Sequence, residues 1–236
     1  MEDNKHSKHI SQQFNAELED VRSRVMKMGG MVENQVADAV HSLINRDADM
    51  GILVTSRDYI VNEMDVTIDE ECTQIIAKRQ PTASDLRLVM AVIKTTTDLE
   101  RIGDEAKRIG KMVERMVLEE GKKKHFSSIE ILGDMVKQML HRALDAFARM
   151  DADEALDIVI TDKKVDEHYE SIMRQLITYM MEDPRSIPWV MDVIWSIRAM
   201  ERIGDRASNI AEYVIYLVKG KDVRHTSIEM IEKEII

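Results

Sequence analysis

The segment Glu-Arg-Ile-Gly-Asp occurs twice in the chain, at residues 100–104 and 201–205. Each copy places a glutamate four residues before an aspartate, so on a helix the two carboxylates share one face. Like charges at this spacing cost about 0.2–0.5 kcal/mol unless something neutralises them. A bound cation would neutralise them, and so would nearby arginines such as Arg101 and Arg108 on a solvated helix face. Both interpretations remain open from the spacing alone.

A second row of acids precedes each copy of the segment. Asp58 and Asn62 lie four residues apart, and so do Asp162 and Asp166. If the helices that carry these rows pack antiparallel, each row faces the Glu-x-x-x-Asp pair of its own half. The predicted metal ligands are therefore Asp58, Asn62, Glu100 and Asp104 in the first half, and Asp162, Asp166, Glu201 and Asp205 in the second.

The ligand set restricts the chemistry. Oxygen-only ligation suits Mg²⁺, Ca²⁺, Mn²⁺ or ferric iron and disfavours structural zinc. The sequence has no Glu-x-x-His, His-Glu-x-x-His or cysteine cluster, and no pairing of nucleophile with base that would mark a catalytic site. No catalytic residue is predicted. An enzyme that uses such a surface metal cluster to activate water is the alternative function.

The two acidic motifs belong to a longer internal duplication. Shifted by 101 residues, Val89, Met90, Val92, Ile93, Ala106, Ile109 and Val113 fall on Val190, Met191, Val193, Ile194, Ala207, Ile210 and Val214. Earlier in the chain, a shift of 104 residues relates Gly29, Ala39 and Asp58 to Gly133, Ala143 and Asp162. The chain therefore consists of two equivalent halves.

The elements that position these acids are predicted to be long helices. The sequence has 3 prolines, 9 glycines and 4% aromatic residues, and its apolar residues recur at helical spacing. We predict an all-α fold of two tandem antiparallel three-helix bundles. The first bundle covers 10–119 and the second covers 126–220, with tails at 1–9 and 221–236.

The helical wheel places the acids away from the core. On the third helix of each half, the Glu-x-x-x-Asp pair points roughly 120–160° from the centre of the apolar stripe. We therefore predict that the carboxylates lie on an outer wall of each bundle. Gly103 and Gly204, between core and wall, are predicted to let another backbone or a ligand approach.

Charge and composition exclude several function classes. The net charge of −11 opposes binding to nucleic acid or to anionic lipid, because phosphate groups require a basic surface. The single cysteine, Cys72, excludes an intramolecular disulfide and fits a reducing compartment. No apolar run approaches the ~18 residues of a membrane span, and the N-terminus is unlike a secretory signal. These features favour a soluble cytoplasmic protein that does not insert into a membrane.

Several motifs are longer than the paired acids. The stretch at 79–87 (Arg-Gln-Pro-Thr-Ala-Ser-Asp-Leu-Arg), the stretch at 98–104 and the opening at 9–18 resemble the PhoU family of phosphate-specific transport accessory and regulatory proteins. The resemblance covers residues from about 9 to 225. It implies two PhoU-type bundles whose Glu-x-x-x-Asp motifs bind iron, zinc, manganese or magnesium. The first half departs from this pattern at Asn62, which is a neutral ligand.

The same resemblance implies a role. Proteins of this family are thought to repress the phosphate-starvation response and to modulate phosphate uptake. They would do so as cytoplasmic adaptors between the ATPase subunit of the phosphate ABC transporter and a membrane sensor histidine kinase. The resemblance further implies a homodimer that is recruited to the inner membrane through its partners, with no organic cofactor and no enzyme activity.

Overall fold

The computed structural model describes residues 3–118, 127–227 and 230, with side chains described from residue 12 onward. The described residues form six α-helices and contain no β-strand. The helices are α1 (Asp3–Asn45), α2 (Ala48–Arg79), α3 (Ala83–Leu118), α4 (Ser127–Arg149), α5 (Ala152–Glu182) and α6 (Ile187–Lys219), and a 3₁₀ turn at Pro184–Ser186 precedes α6. The predicted all-α class is confirmed.

Equivalent aspartates begin the second helix of each half. The Oδ1 atom of Asp47 accepts a hydrogen bond from the backbone N–H of Met50 at 3.0 Å, and Asp151 accepts one from Glu154 at 3.0 Å. Both aspartates have extended backbone angles, as N-cap residues do. The two short turns that reverse the chain are therefore fixed by the same side-chain chemistry.

Each half is a three-helix bundle, and the two bundles lie side by side. Helices α1, α2 and α3 pack against one another, and α4, α5 and α6 do the same. The halves meet along α3 with α6 and along α1 with α4. The two central helices are antiparallel, since Arg115 pairs with Asp192 at one end and the Tyr213 hydroxyl donates to Asp98 at the other.

The repeated glycines Gly29 and Gly133 explain how α1 and α4 approach each other. A Cβ on Gly29 would lie 2.7 Å from a methyl carbon of Leu144, and a Cβ on Gly133 would lie 2.6 Å from a methyl carbon of Val40. Leu144 is the counterpart of Val40 under the 104-residue shift. The contact is therefore reciprocal, with a glycine of each half receiving an aliphatic side chain of the other.

In the first half, α2 and α3 are in backbone contact where they cross. A Cβ on Gly110 would lie 2.6 Å from the carbonyl oxygen of Gly51, so the two backbones are in contact. The corresponding positions on α5 and α6 are Ala155 and Ala211, and both alanines are buried. The first half thus packs backbone on backbone where the second half packs methyl groups.

The ends of the predicted bundles differ in detail from the structure. Helix α1 begins at Asp3, before the predicted start of the first bundle at residue 10. Residues 119–126, which include the whole interval between the two predicted bundles, lie outside the described residues, and so do 228–229 and 231–236 of the predicted C-terminal tail. Within the described part of that tail, Val223 is buried against the core.

Candidate functional site

Four carboxylates of the second half come together where α5 lies against α6. Asp162 and Asp166 lie one turn apart on α5, and Glu201 and Asp205 lie one turn apart on α6. One carboxylate oxygen each from Asp166, Glu201 and Asp205 lies within 4.8 Å of the others. We call these four residues the second acidic cluster. The three oxygens of Asp166, Glu201 and Asp205 are close enough together to bind one metal ion.

The second acidic cluster carries more negative charge than its surroundings neutralise. Burial and the charges of Asp205 and Asp166 raise the pKa of Asp162 to about 7. Burial followed by the charge of Asp205 raises the pKa of Glu201, and burial followed by the charge of Asp166 raises that of Asp205. In each case burial is the larger cause of the raised pKa, and the charge of the neighbouring carboxylates adds to it.

Two oxygens of the cluster are buried without a hydrogen-bond donor. Glu201 is 9% exposed, and its Oε1 atom accepts a hydrogen bond from Arg198 at 2.7 Å, but Oε2 has no partner. The Oδ1 atom of Asp162 is also buried and unpaired. A buried acceptor without a partner is costly, and a cation at the cluster would satisfy both oxygens. The donor set of carboxylate oxygens fits a hard cation such as Mg²⁺ or Mn²⁺.

The first acidic cluster, defined as Asp58, Asn62, Glu100 and Asp104, is arranged differently. Asp58 is only 1% exposed, and its Oδ2 atom accepts a hydrogen bond from the Lys107 ammonium at 2.7 Å. The same ammonium lies 3.9 Å from Asp104. The first cluster therefore contains a positive charge that belongs to the chain.

Amide groups complete the surroundings of Asp58. The Nδ2 atom of Asn62 is 3.5 Å from Asp58 Oδ2, and the Nε2 atom of Gln35 on α1 donates to Oδ1 at 3.2 Å. Glu100 points to the same region, and burial together with the charge of Asp104 raises its pKa. All three helices of the first half thus contribute to this cluster, whereas the second cluster is built from two.

The glycine of each Glu-Arg-Ile-Gly-Asp segment provides room for the buried aspartate. A Cβ on Gly103 would lie 3.3 Å from Asp58 Oδ1, and a Cβ on Gly204 would lie 3.8 Å from Asp162 Oδ1 and 3.4 Å from Val165. The predicted close approach is present. The approaching group is a side chain of the neighbouring helix and not a backbone or a ligand.

The structure groups all eight predicted ligands into two clusters, one in each half. The prediction that the Glu-x-x-x-Asp carboxylates lie on an outer wall is wrong for Glu201, which is buried against Arg198. On α2, Asp58 is also buried and is covered by Gln35 and Lys107. Asp104 and Asp205 are exposed as predicted, Asp166 is exposed too, and Asn62, Glu100 and Asp162 are partly buried.

Sequence reasoning missed four residues that shape the clusters. Lys107 and Gln35 contact Asp58, Arg198 contacts Glu201, and the buried Ser208 lies beside Asp162, where its hydroxyl lowers the carboxyl pKa. Lys107 and Ser208 occupy the same position in the two halves, since they differ by 101 residues. Aligning the two halves of the sequence and noting the positions that differ near the acids would have identified this pair.

Comparisons with known proteins agree with this architecture. The PhoU domain matches residues 25–113 and again 129–214. The chain is 54% identical to the phosphate-specific transport system accessory protein PhoU of Serratia marcescens, over 98% of this chain and 94% of that protein. It is also 54% identical to the protein of the same name from Escherichia coli K12, over 96% of this chain and 94% of the relative.

Solved structures give the same result. The crystal structure of PhoU from Pseudomonas aeruginosa superposes with a TM-score of 0.86 at 50% identity, and the match covers 88% of this chain and all of that one. The phosphate transport system regulatory protein PhoU of Streptococcus pneumoniae superposes with a TM-score of 0.83 at 29% identity, over 89% of this chain and 99% of that one.

Proposed function

The chain belongs to the PhoU family, and from that membership we propose that it is an accessory and regulatory protein of a phosphate-specific transport system. The observation that carries this proposal is similarity at 54% identity over nearly the whole length of relatives named for that role. Because the match includes both halves, it is not limited to a shared helical module. The relatives are named accessory or regulatory proteins, which supports a role without enzyme activity.

We further propose that the protein represses the phosphate-starvation response as an adaptor. It would bridge the ATPase subunit of the phosphate ABC transporter and the cytoplasmic part of a sensor histidine kinase, and it would act as a homodimer. To shift a kinase toward its repressed state, the protein must bind that state more tightly than the active one. The function thus requires selective contact surfaces and no reacting groups.

The proposed location is the cytoplasm, with recruitment to the inner membrane through these partners. In the parts of the chain that the structure describes, every helix lacks a stretch that is long and apolar enough to cross a bilayer. The net charge of −11 opposes direct binding to anionic lipid or nucleic acid. Attachment through a protein partner is consistent with both observations.

An apolar row on α6 offers a surface for a protein component of the transport system. Ile187, Met191 and Trp195 are spaced four residues apart on one face, and all three are exposed, with Trp195 at 48%. Trp195 lies one turn before Arg198, so the row ends beside the second acidic cluster. A partner segment with an apolar anchor and basic neighbours would match this combination.

We also propose that the second acidic cluster binds a metal ion, with magnesium, manganese, iron and zinc as candidates. The oxygen donors favour magnesium or manganese over zinc. Two carboxylates come from α5 and two from α6, so a bound ion would link the helices next to the apolar row. The chemistry that it supplies is charge neutralisation and stiffening of this surface.

Co-purification tests the adaptor proposal. The full chain is mixed with the transporter ATPase and, separately, with the cytoplasmic domain of the kinase, with and without phosphate and Mn²⁺. We expect Trp195→Ser to reduce capture of at least one partner about 10-fold or more, as expected for an aromatic anchor. The matched control is Tyr59→Ser, which alters an aromatic side chain that is 60% exposed on the first half. Absence of capture by the unmodified chain under every condition would reject the proposal.

A further inference from the structure

The two acidic clusters differ at one equivalent position on α3 and α6. Glu100 corresponds to Glu201 and Asp104 to Asp205, both by a shift of 101 residues. The residue one turn further along the same face is Lys107 in the first half and Ser208 in the second. The acids are therefore kept in both halves, whereas a positive charge at this position is present only in the first.

Lys107 lies where a cation bound to the first cluster would lie. Its ammonium is 2.7 Å from Asp58 Oδ2 and 3.9 Å from Asp104 Oδ1, so it bridges the acids of α2 and α3. The other oxygen of Asp58 accepts from Gln35, whose counterpart in the second half is the apolar Met139.

The second cluster has no such built-in cation at the equivalent position. Ser208 is uncharged and buried, and the Oδ1 atom of Asp162 beside it has no hydrogen-bond partner. Arg198 comes from the opposite side and reaches only one oxygen of Glu201, so Oε2 is left without a donor. Both oxygens of Asp58 thus have donors from the chain itself, whereas one oxygen of its counterpart Asp162 has none.

We propose that Lys107 is a tethered cation that permanently occupies the first cluster, so that each chain binds one hard divalent cation and binds it at the second cluster. An ammonium held against Asp58 excludes a metal ion in two ways. It takes the lone pairs that the metal would need, and it repels a second positive charge a few ångströms away. The residue at position 107 or 208 decides which cluster accepts an ion. This inference depends on the proposed metal binding at the second cluster.

Reciprocal substitutions test the inference. The full chain and its variants are stripped with EDTA and titrated with Mn²⁺, and bound ions are counted by native mass spectrometry and by loss of the free Mn²⁺ EPR signal. We expect one ion for the unmodified chain, two for Lys107→Ser, none for Ser208→Lys, and one for the variant that carries both changes. Affinity at the first cluster is expected to rise at least about 10-fold in Lys107→Ser.

The outcomes distinguish metal binding at the second cluster from the exclusion of metal by Lys107 at the first. If the unmodified chain binds no ion but Lys107→Ser gains one, the second cluster is not a metal site while the role of Lys107 stands. If Lys107→Ser binds no more ions than the unmodified chain, or if the unmodified chain already binds two, the tethered-cation inference is rejected. Circular dichroism establishes that each variant is folded, and Lys107→Gln replaces Lys107→Ser if the latter fails that check.

Amine labelling of the unmodified chain provides a test that needs no substitution. We expect Lys107 to react more slowly than the exposed Lys111 with an acylating reagent, because its ammonium is held by Asp58. Saturating Mn²⁺ should leave the reactivity of Lys107 unchanged. A rise in its labelling rate on addition of Mn²⁺ would mean that the metal displaces the ammonium, and would overturn the inference.

Discussion

The first and second acidic clusters are built on the same repeat, yet they balance their charge in different ways. In the first, the Lys107 ammonium and the Gln35 amide satisfy a buried aspartate. In the second, two buried carboxylate oxygens have no donor, and burial and mutual repulsion raise the pKa of the carboxyl groups. One cluster therefore resembles a structural ion pair, and the other resembles a binding site.

The difference contrasts two ways in which a duplicated chain neutralises the same buried acids, one by a side chain of its own and one by a ligand. A buried carboxylate is tolerated when a partner within the chain neutralises it, and it then holds helices together. The same carboxylate without that partner costs stability, which a ligand can restore by binding only the folded state. The tethered-cation proposal implies that substituting one residue on α3 or α6 moves a cluster from one role to the other.

The largest expected effect concerns Asp162 and pH. Because its pKa is raised to about 7 in the folded chain, folding takes up a proton between about pH 4 and pH 7, and stability falls as the pH rises through that window. In EDTA, the free energy of unfolding of the unmodified chain should therefore decline relative to that of Asp162→Asn by at most about 4 kcal/mol. Urea unfolding at several pH values measures the difference. A difference that does not change with pH would show that Asp162 is not destabilised.

The next effect concerns the ion pair of the first cluster. Lys107→Ala leaves Asp58 buried without its cation, which typically costs 3–5 kcal/mol. Because the Lys107 side chain is 30% exposed, we expect about 2–3 kcal/mol in EDTA. The matched change in the second half, Ser208→Ala, removes only a hydroxyl and should cost less than about 1 kcal/mol. Equal losses for the two variants, measured by urea unfolding, would contradict the asymmetry between the clusters.

The smallest effect concerns the helix crossings that hold the clusters in place. Gly110→Ala inserts a methyl group against the backbone of Gly51 and should destabilise the chain by about 2 kcal/mol. The reverse change in the second half, Ala211→Gly, should cost about 1 kcal/mol, because glycine is a poor helix former and a buried methyl is lost. Thermal unfolding of both variants measures this. If Gly110→Ala left the melting temperature unchanged, the α2–α3 crossing would have space for the added methyl group.

Much of the fold could be predicted because its signals are local. Apolar periodicity and the scarcity of proline and glycine are properties of short segments, and they predicted two three-helix bundles, which the six observed helices match. The grouping of the acids also followed, since Asp58 and Glu100 lie on facing helices of a hairpin. These predictions required only helical geometry and antiparallel packing.

The depth of the acids could not be predicted from the same geometry. A helical wheel gives the direction of a side chain but not what a third helix places above it. Gln35 on α1 covers Asp58, and that contact joins residues from helices whose relative height depends on the whole bundle. The burial of Glu201 likewise depends on neighbours, such as Arg198, that the wheel does not place.

The reciprocal contacts between α1 and α4 have a consequence for how two chains of half the length would fit together. Gly29 receives Leu144 and Gly133 receives Val40, so each half carries both a notch and the side chain that fills the notch of its counterpart. A surface of this kind is complementary to itself, which is the property that a two-fold symmetric pair of chains requires. A chain of half the length would already carry both parts of this contact, so two such chains would be complementary to each other along the same helix without being covalently joined.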